Sequence, residues 1–192
     1  MKNLEKKIFE YLSGNLTPER FEHSYYVSKF AVELASIKKA NVLKIQTAAL
    51  LHDCAKSMND KELVKFLKQR GKEIKYFKEM AKYSPQLLHS FAGEQIIKDR
   101  IKIKDKEILN AVKYHTLGRP SMSIAEKILF VSDAVSYDRK YKGVDELRSL
   151  AKMDIDAAFM RVLSNKIKYV IGCGKWLCPQ TIETWNYYAQ KD

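Results

Sequence analysis

The stretch AALLHDCAKS, Ala48 to Ser57, sets an imidazole, a carboxylate and an amine at the end of a segment that otherwise reads as buried helix. Ala48, Ala49, Leu50 and Leu51 suit a core face, and His52, Asp53 and Lys56 follow with no glycine or proline between them. Adjacent helical residues point about 100° apart. His52 and Asp53 can therefore share a target only where the helix loosens at its end. Lys56, four residues from His52 and three from Asp53, comes to the same side.

Working outward, apolar residues recur at helical spacing almost everywhere, and no stretch alternates convincingly with a period of two. Thr17-Pro18 and Ser84-Pro85 each read as an N-cap followed by proline at the first helical position. Ser123 precedes IAEKILFVSDAV in the same way, and Cys178-Pro179 starts the last helix. Gly71 and Gly118 read as stops. The expected helices are 2–12, 18–39, 42–55, 60–70, 85–99, 105–116, 124–136, 143–151, 154–170 and 179–190, in a single all-α domain over residues 1–192.

A hydrophobic content of 46% and 11% aromatics exclude wholesale disorder in this 192-residue chain. No apolar run reaches the roughly 18 residues of a membrane span, and the charged amphipathic MKNLEKKIFEYL has no signal-peptide core. Three cysteines, an odd number without a secretion signal, read as reduced thiols. CGKWLC at 173–178 has neither redox nor zinc-knuckle spacing. A cytoplasmic protein without a membrane partner is expected. The net charge of +12 usually points to nucleic acid, but the same field attracts a polyphosphate substrate. Its densest run, 61–82, interleaves acids and reads as a solvated helix face.

All four histidines fall on apolar faces. From His23, steps of three and four give Val27, Phe30, Ala31 and Leu34. His52 follows Ala48 and Ala49; His115 follows Ile108, Ala111 and Val112. His89 precedes Ala92, Gly93 and Ile96, small enough to let a neighbour approach. Asp133 sits inside ILFVSDAVS. A buried carboxylate without a partner costs several kcal/mol. One shared cation removes that cost and uses the imidazoles as ligands. A set of imidazole and carboxylate without thiolate suits Fe, Mn, Zn or Ni, with a position left for water. Such an ion acidifies bound water and polarises a phosphoryl oxygen, so hydrolysis of a phosphate ester or anhydride is implied. Asp53 or Asp133 is the candidate proton acceptor.

His23, His52-Asp53 and Asp133, in that order on helices, resemble the H…HD…D pattern of HD-domain metal-dependent phosphohydrolases. The stretch YHTLGRPSMSIAEKILFVSDAVSYDRKYKGVDELRSLA, Tyr114 to Ala151, resembles the YqeK-type symmetrical bis(5'-nucleosyl)-tetraphosphatases, as do HDCAK, LLHSFAG and CPQTIETWNYY. The resemblance covers nearly everything after residue 16. It implies a helical HD-domain bundle, with the metal and nucleotide site drawn from about 17–190, that cleaves diadenosine tetraphosphate into two ADP. It implies an iron held by His23, His52, Asp53 and Asp133, with manganese, zinc, nickel or magnesium as alternatives. It places Lys56, His89, His115, Thr116, Leu117 and Arg139 on the phosphates, and Trp176 to Thr181, including Pro179, along the nucleotide. His89 and His115 are open between phosphate, a second metal ion and a leaving oxygen. Arg119, in the HTLGRP loop, is a further phosphate candidate, and Tyr137 a candidate for ribose or base. Two positions depart from the pattern. Ser136-Tyr137 stands where the family usually has Glu-Pro, which removes a proline-fixed turn before Arg139. Trp185 replaces a common arginine and reads as a packing residue.

Within the same chemistry, the alternative substrates are a nucleoside mono- or triphosphate or a cyclic dinucleotide, although LGRP is not the GYP signature of the last. A basic helical nucleic-acid-binding module without catalysis is the rival from another class. It is disfavoured because no RNP, KH or zinc-finger pattern occurs. A homodimer is an open expectation.

Overall fold

The computed structural model describes residues 2–71 and 73–190. Among these residues it holds eleven α-helices and no strand. They are α1 (Lys2–Asn15), α2 (Pro18–Ile37), α3 (Val42–Leu51), α4 (Asp60–Lys68), α5 (Phe77–Tyr83), α6 (His89–Ile96), α7 (Lys106–Tyr114), α8 (Ile124–Val135), α9 (Val144–Met153), α10 (Ile155–Gly172) and α11 (Pro179–Ala189). A 3-10 turn, Pro85–Leu88, leads into α6, and a π-helical turn, Ile97–Ile101, leaves it. No helix is long and apolar enough to cross a membrane.

The caps at Thr17 and Ser123 stand where the sequence puts them, whereas Ser84 makes no capping hydrogen bond and Pro85 opens only a 3-10 turn. Thr17 accepts the Arg20 amide at the start of α2, ahead of Pro18. Asn59 with Glu62 and Ser123 with Glu126 form capping boxes on α4 and α8. Three stretches differ from expectation. The 42–55 helix stops at Leu51 because the His52 imidazole takes the Ala49 carbonyl. In a continuing helix that carbonyl would accept the Asp53 amide. Residues 51–58 tighten instead into turns closed by Cys54 N–H to Leu51 O, Lys56 N–H to Asp53 O and Met58 N–H to Ala55 O. The 85–99 helix divides into the 3-10 turn, α6 and the π turn. Helix α5 was not expected; it starts after Tyr76 at φ 61° with no side-chain cap.

At the centre, α2 packs on α3 and α8, α7 joins α3, α6 and α8, and α10 lies across α8 and α9. Phe30, Phe130 and Phe159 are fully buried in one continuous core. The Phe130 and Phe159 rings meet edge to face with centroids 5.0 Å apart, a favoured aromatic geometry. Trp185 packs against this core, as expected. Cys54, Cys173 and Cys178 are free thiols.

Gly93 lets α6 close on the end of α3. A Cβ there would touch Cys54 Sγ and Val112 Cγ1, both at 3.4 Å. Gly118, at φ +69°, ends the segment after α7 against α11, where a Cβ would come within 2.7 Å of Thr184 Cγ2. Gln180 Nε2 donates to Gly118 O at 2.7 Å, and Thr184 Oγ1 donates to Leu117 O at 3.3 Å. These contacts hold the chain just past His115.

Candidate metal and phosphate site

Four helix ends and one helix interior converge on a cavity of about 600 Å³. His52 and His115 are the C-caps of α3 and α7, and His89 opens α6. Asp133 lies in the last turn of α8, and His23 in the second turn of α2. In each case the neighbouring apolar stripe enters the core and carries the polar side chain inward with it. His23, Asp53, Lys56, His89, His115, Thr116, Asp133 and Arg139 all line the cavity. His52, fully buried, lies beneath them.

The ring tautomers follow from what Nδ1 touches. His52, His89 and His115 each place Nδ1 against the carbonyl three residues earlier, Ala49, Gln86 and Val112, at 2.7, 2.5 and 2.7 Å. A carbonyl only accepts, so each Nδ1 carries the proton and each Nε2 faces the cavity with a lone pair. His23 Nδ1 lies 2.8 Å from Asp138 Oδ2, with the same consequence.

Two donor sets result. His23, His52 and Asp53 offer ligand atoms within 4.8 Å of one another, and so do Asp53, His89 and His115. Asp133 Oδ1 closes the first set, 3.2 Å from His23 Nε2 and 3.9 Å from His52 Nε2. His52 Nε2 is buried without a hydrogen-bond partner, 3.7 Å from Asp53 Oδ2. An imidazole lone pair facing two carboxylates is a repulsive arrangement that a cation resolves. The residues therefore fit a divalent metal ion.

Electrostatics agree with that fit. Burial pushes His52 and His115 below the ordinary imidazole value, keeping them neutral and ready to ligate. His23 is the exception: burial is outweighed by Asp133 and Asp138, which raise its value, so its ring gives up the Nε2 proton when it ligates. Burial pushes Asp53 up, yet His52, His115 and His89 hold it well below the usual carboxylate range. Asp133 is held well below in the same way, by His23 and Lys166 against burial. Both carboxylates are thus ionised and available as ligands.

Cations ring the two aspartates. Lys56 Nζ and Arg20 Nη1 lie 3.8 and 3.7 Å from the two Asp53 oxygens. Arg139 Nη2 and Lys166 Nζ lie 3.3 and 3.8 Å from the two Asp133 oxygens. Arg139 is well placed despite the missing proline. Its amide closes a turn onto Ser136 O at 2.9 Å, and Arg148 donates to the carbonyls of Val135, Ser136 and Arg139 at 2.8, 2.7 and 2.8 Å.

Six expected substrate residues do not line this cavity. The Arg119 guanidinium is committed to buried Glu126, at 2.9 Å, and to Pro120 O. It staples the turn before α8 and is not a free phosphate ligand. Tyr137 donates to Glu33 and packs edge-on against Phe30. Leu117 and Thr181 are buried, and Pro179 is the first residue of α11. Trp176 stacks on Tyr83 with centroids 5.7 Å apart. Conversely, Arg20, Asp138 and Lys166 were not anticipated. Arg20 had a readable signal, three residues before His23 on the same face. Asp138 and Lys166 reach the site only through tertiary contacts.

An HD-domain family model matches residues 20–138, the stretch that carries every candidate metal ligand. A Halalkalibacterium halodurans protein named bis(5'-nucleosyl)-tetraphosphatase, symmetrical, is 30% identical over 180 residues, covering 94% of each chain. A Bacillus subtilis protein of the same name is 33% identical over 172 residues, covering 90% of each. A crystal structure from Clostridium acetobutylicum, described as a predicted HD superfamily hydrolase involved in NAD metabolism, matches with a TM-score of 0.93. It is 38% identical over 98% of each chain.

Proposed function

The chain belongs to the HD-domain family, alongside the symmetrical bis(5'-nucleosyl)-tetraphosphatases, and from that premise we propose how its cavity performs their reaction. It is a metal-dependent hydrolase that cleaves diadenosine tetraphosphate into two ADP. His23, His52, Asp53 and Asp133 hold the divalent ion. Iron is the ion proposed, the donors being imidazole and carboxylate without thiolate; manganese, zinc, nickel and magnesium are the alternatives. The ion supplies an acidic water and polarises a phosphoryl oxygen. The observation that carries this reading is His52 Nε2, buried and unpartnered against two carboxylates on the cavity floor.

The remaining residues act on the polyphosphate. Lys56 and Arg20 beside Asp53, with Arg139 beside Asp133, bind phosphate oxygens and offset their charge. Thr116 Oγ1, 3.1 Å from His115 Nε2, adds a hydroxyl donor. Cations beside both aspartates of the ligand cluster suit a polyphosphate, whose charge is spread over several phosphates. We place the reaction in the cytoplasm, where the free thiols persist.

A specific observation favours a second reading of His89 and His115. Their Nε2 atoms face each other at 3.2 Å with Asp53 Oδ1 3.2 and 3.7 Å away. Lone pairs so placed suit a second ion sharing Asp53 better than they suit phosphate. Elemental analysis of protein purified without chelators decides between one and two ions per chain. Incubation with diadenosine tetraphosphate should yield ADP alone; AMP with ATP would overturn the proposed placement of the substrate.

A further inference from the structure

Three of the four site histidines have their tautomer set by the backbone. His52, His89 and His115 stand at helix boundaries, where the carbonyl three residues back is free to accept a ring N–H. No side-chain substitution removes those acceptors. His23 is different: it lies inside α2, where the Arg20 carbonyl belongs to the helix ladder. Its acceptor has to come from another element, and it is the carboxylate of Asp138, at 2.8 Å from a loop 115 residues away.

That carboxylate is itself held. Ser136 Oγ donates to Asp138 Oδ1 at 2.5 Å, which leaves Oδ2 for the ring. Arg148 ties the backbone on both sides, at Ser136 O and Arg139 O. The imidazole is thus gripped from the side facing away from the ligand cluster, and its Nε2 is aimed at Asp133 and the floor of the cavity.

We propose that Asp138 is a positioning residue for the metal site, fixing His23 as the Nδ1–H tautomer so that Nε2 is presented as a ligand, with Ser136 setting the Asp138 rotamer. This rests on the reading of His23 as a metal ligand. A carboxylate behind a ligating imidazole orients the ring and raises its basicity, and loss of such a partner costs about 10- to 100-fold in metal affinity.

The test uses the full chain and zinc as the probe ion. Competition with a chromophoric chelator gives the zinc Kd of the wild type, Asp138→Ala and Asp138→Asn. Long-range proton–nitrogen spectra of histidine-labelled, zinc-loaded protein report which His23 nitrogen carries hydrogen. Asp138→Ala should raise Kd by about 10- to 100-fold. Asp138→Asn, whose amide oxygen still accepts the ring N–H, should lose less. The wild-type His23 should show protonated Nδ1 and zinc-bound Nε2. A Kd for Asp138→Ala within twofold of wild type overturns the proposal while leaving the metal site standing. So does an Asn variant as impaired as the Ala variant; if the Ala protein does not fold, the wild-type spectra decide alone, and zinc on His23 Nδ1 with a protonated Nε2 overturns the proposal. A wild-type chain that binds no zinc overturns the metal site and this inference together.

Discussion

Asp53 touches more of the site than any other side chain described: His52, His89, His115, Lys56 and Arg20 all lie within 3.8 Å of its oxygens. Asp53→Ala is expected to reduce turnover of diadenosine tetraphosphate below detection while far-ultraviolet circular dichroism keeps its helical signal. Full activity in that variant would remove the cluster from the chemistry. The cations divide into two kinds. Arg139, exposed and facing the cavity, makes contacts that a substrate phosphate can take over. Arg139→Ala should lower kcat/KM by roughly 10- to 100-fold, the worth of one or two charge-assisted hydrogen bonds at about 1.5–3 kcal/mol. Arg119 faces Glu126. Arg119→Ala should leave kcat/KM within about twofold of wild type and cost roughly 1–3 kcal/mol in urea unfolding, because a buried carboxylate loses its partner. At this scale the histidines were legible from sequence, since polar residues on apolar stripes need a common partner. Asp138 and Lys166 were not: each meets its target through a fold-dependent contact that no local pattern encodes.

Helix boundaries do much of the positioning. Three of those with a side-chain cap or a leading proline were readable: Thr17-Pro18 before α2, Ser123 before α8 and Pro179 at the start of α11. Helix α5 starts without a cap, and α3 ends because a side chain takes its carbonyl, so neither event leaves a local signature. Asp105 caps α7, the helix that delivers His115, by accepting the amides of Glu107 and Ile108. Lys44, 2.9 Å away, holds its carboxyl below the ordinary value, and the two amides add to this. A depressed folded-state value contributes stability above the unfolded value near 3.8, lost as pH falls through the folded one. Asp105→Ala should therefore cost about 1 kcal/mol at neutral pH, and the deficit should narrow below that value, as urea melts at pH 7 and pH 3 would show. A deficit that stays constant would mean that Asp105 acts by shape alone.

At the scale of the molecule, the site is where α2, α3, α6, α7 and α8 meet, so an ion bound there joins five helices. The +12 charge favours a polyanionic substrate over the whole surface, but it also means that the ligand cluster is a pocket of acid inside a basic protein. Two carboxylates held far below their usual range are poised for a cation and weakly disposed to protons. An ion that binds the folded chain and not the unfolded one stabilises it by RT ln(1 + [M]/Kd), about 2.7 kcal/mol when free metal is a hundredfold above Kd. Stripping with a chelator should therefore lower Tm by several degrees, and returning manganese or iron(II) should restore it in step with activity. Helical content at 25 °C should survive stripping, because Phe30, Phe130 and Phe159 hold the core without help from the site. A protein whose Tm ignores both chelator and added ion, while activity follows the ion, would place the functional metal outside this five-helix junction.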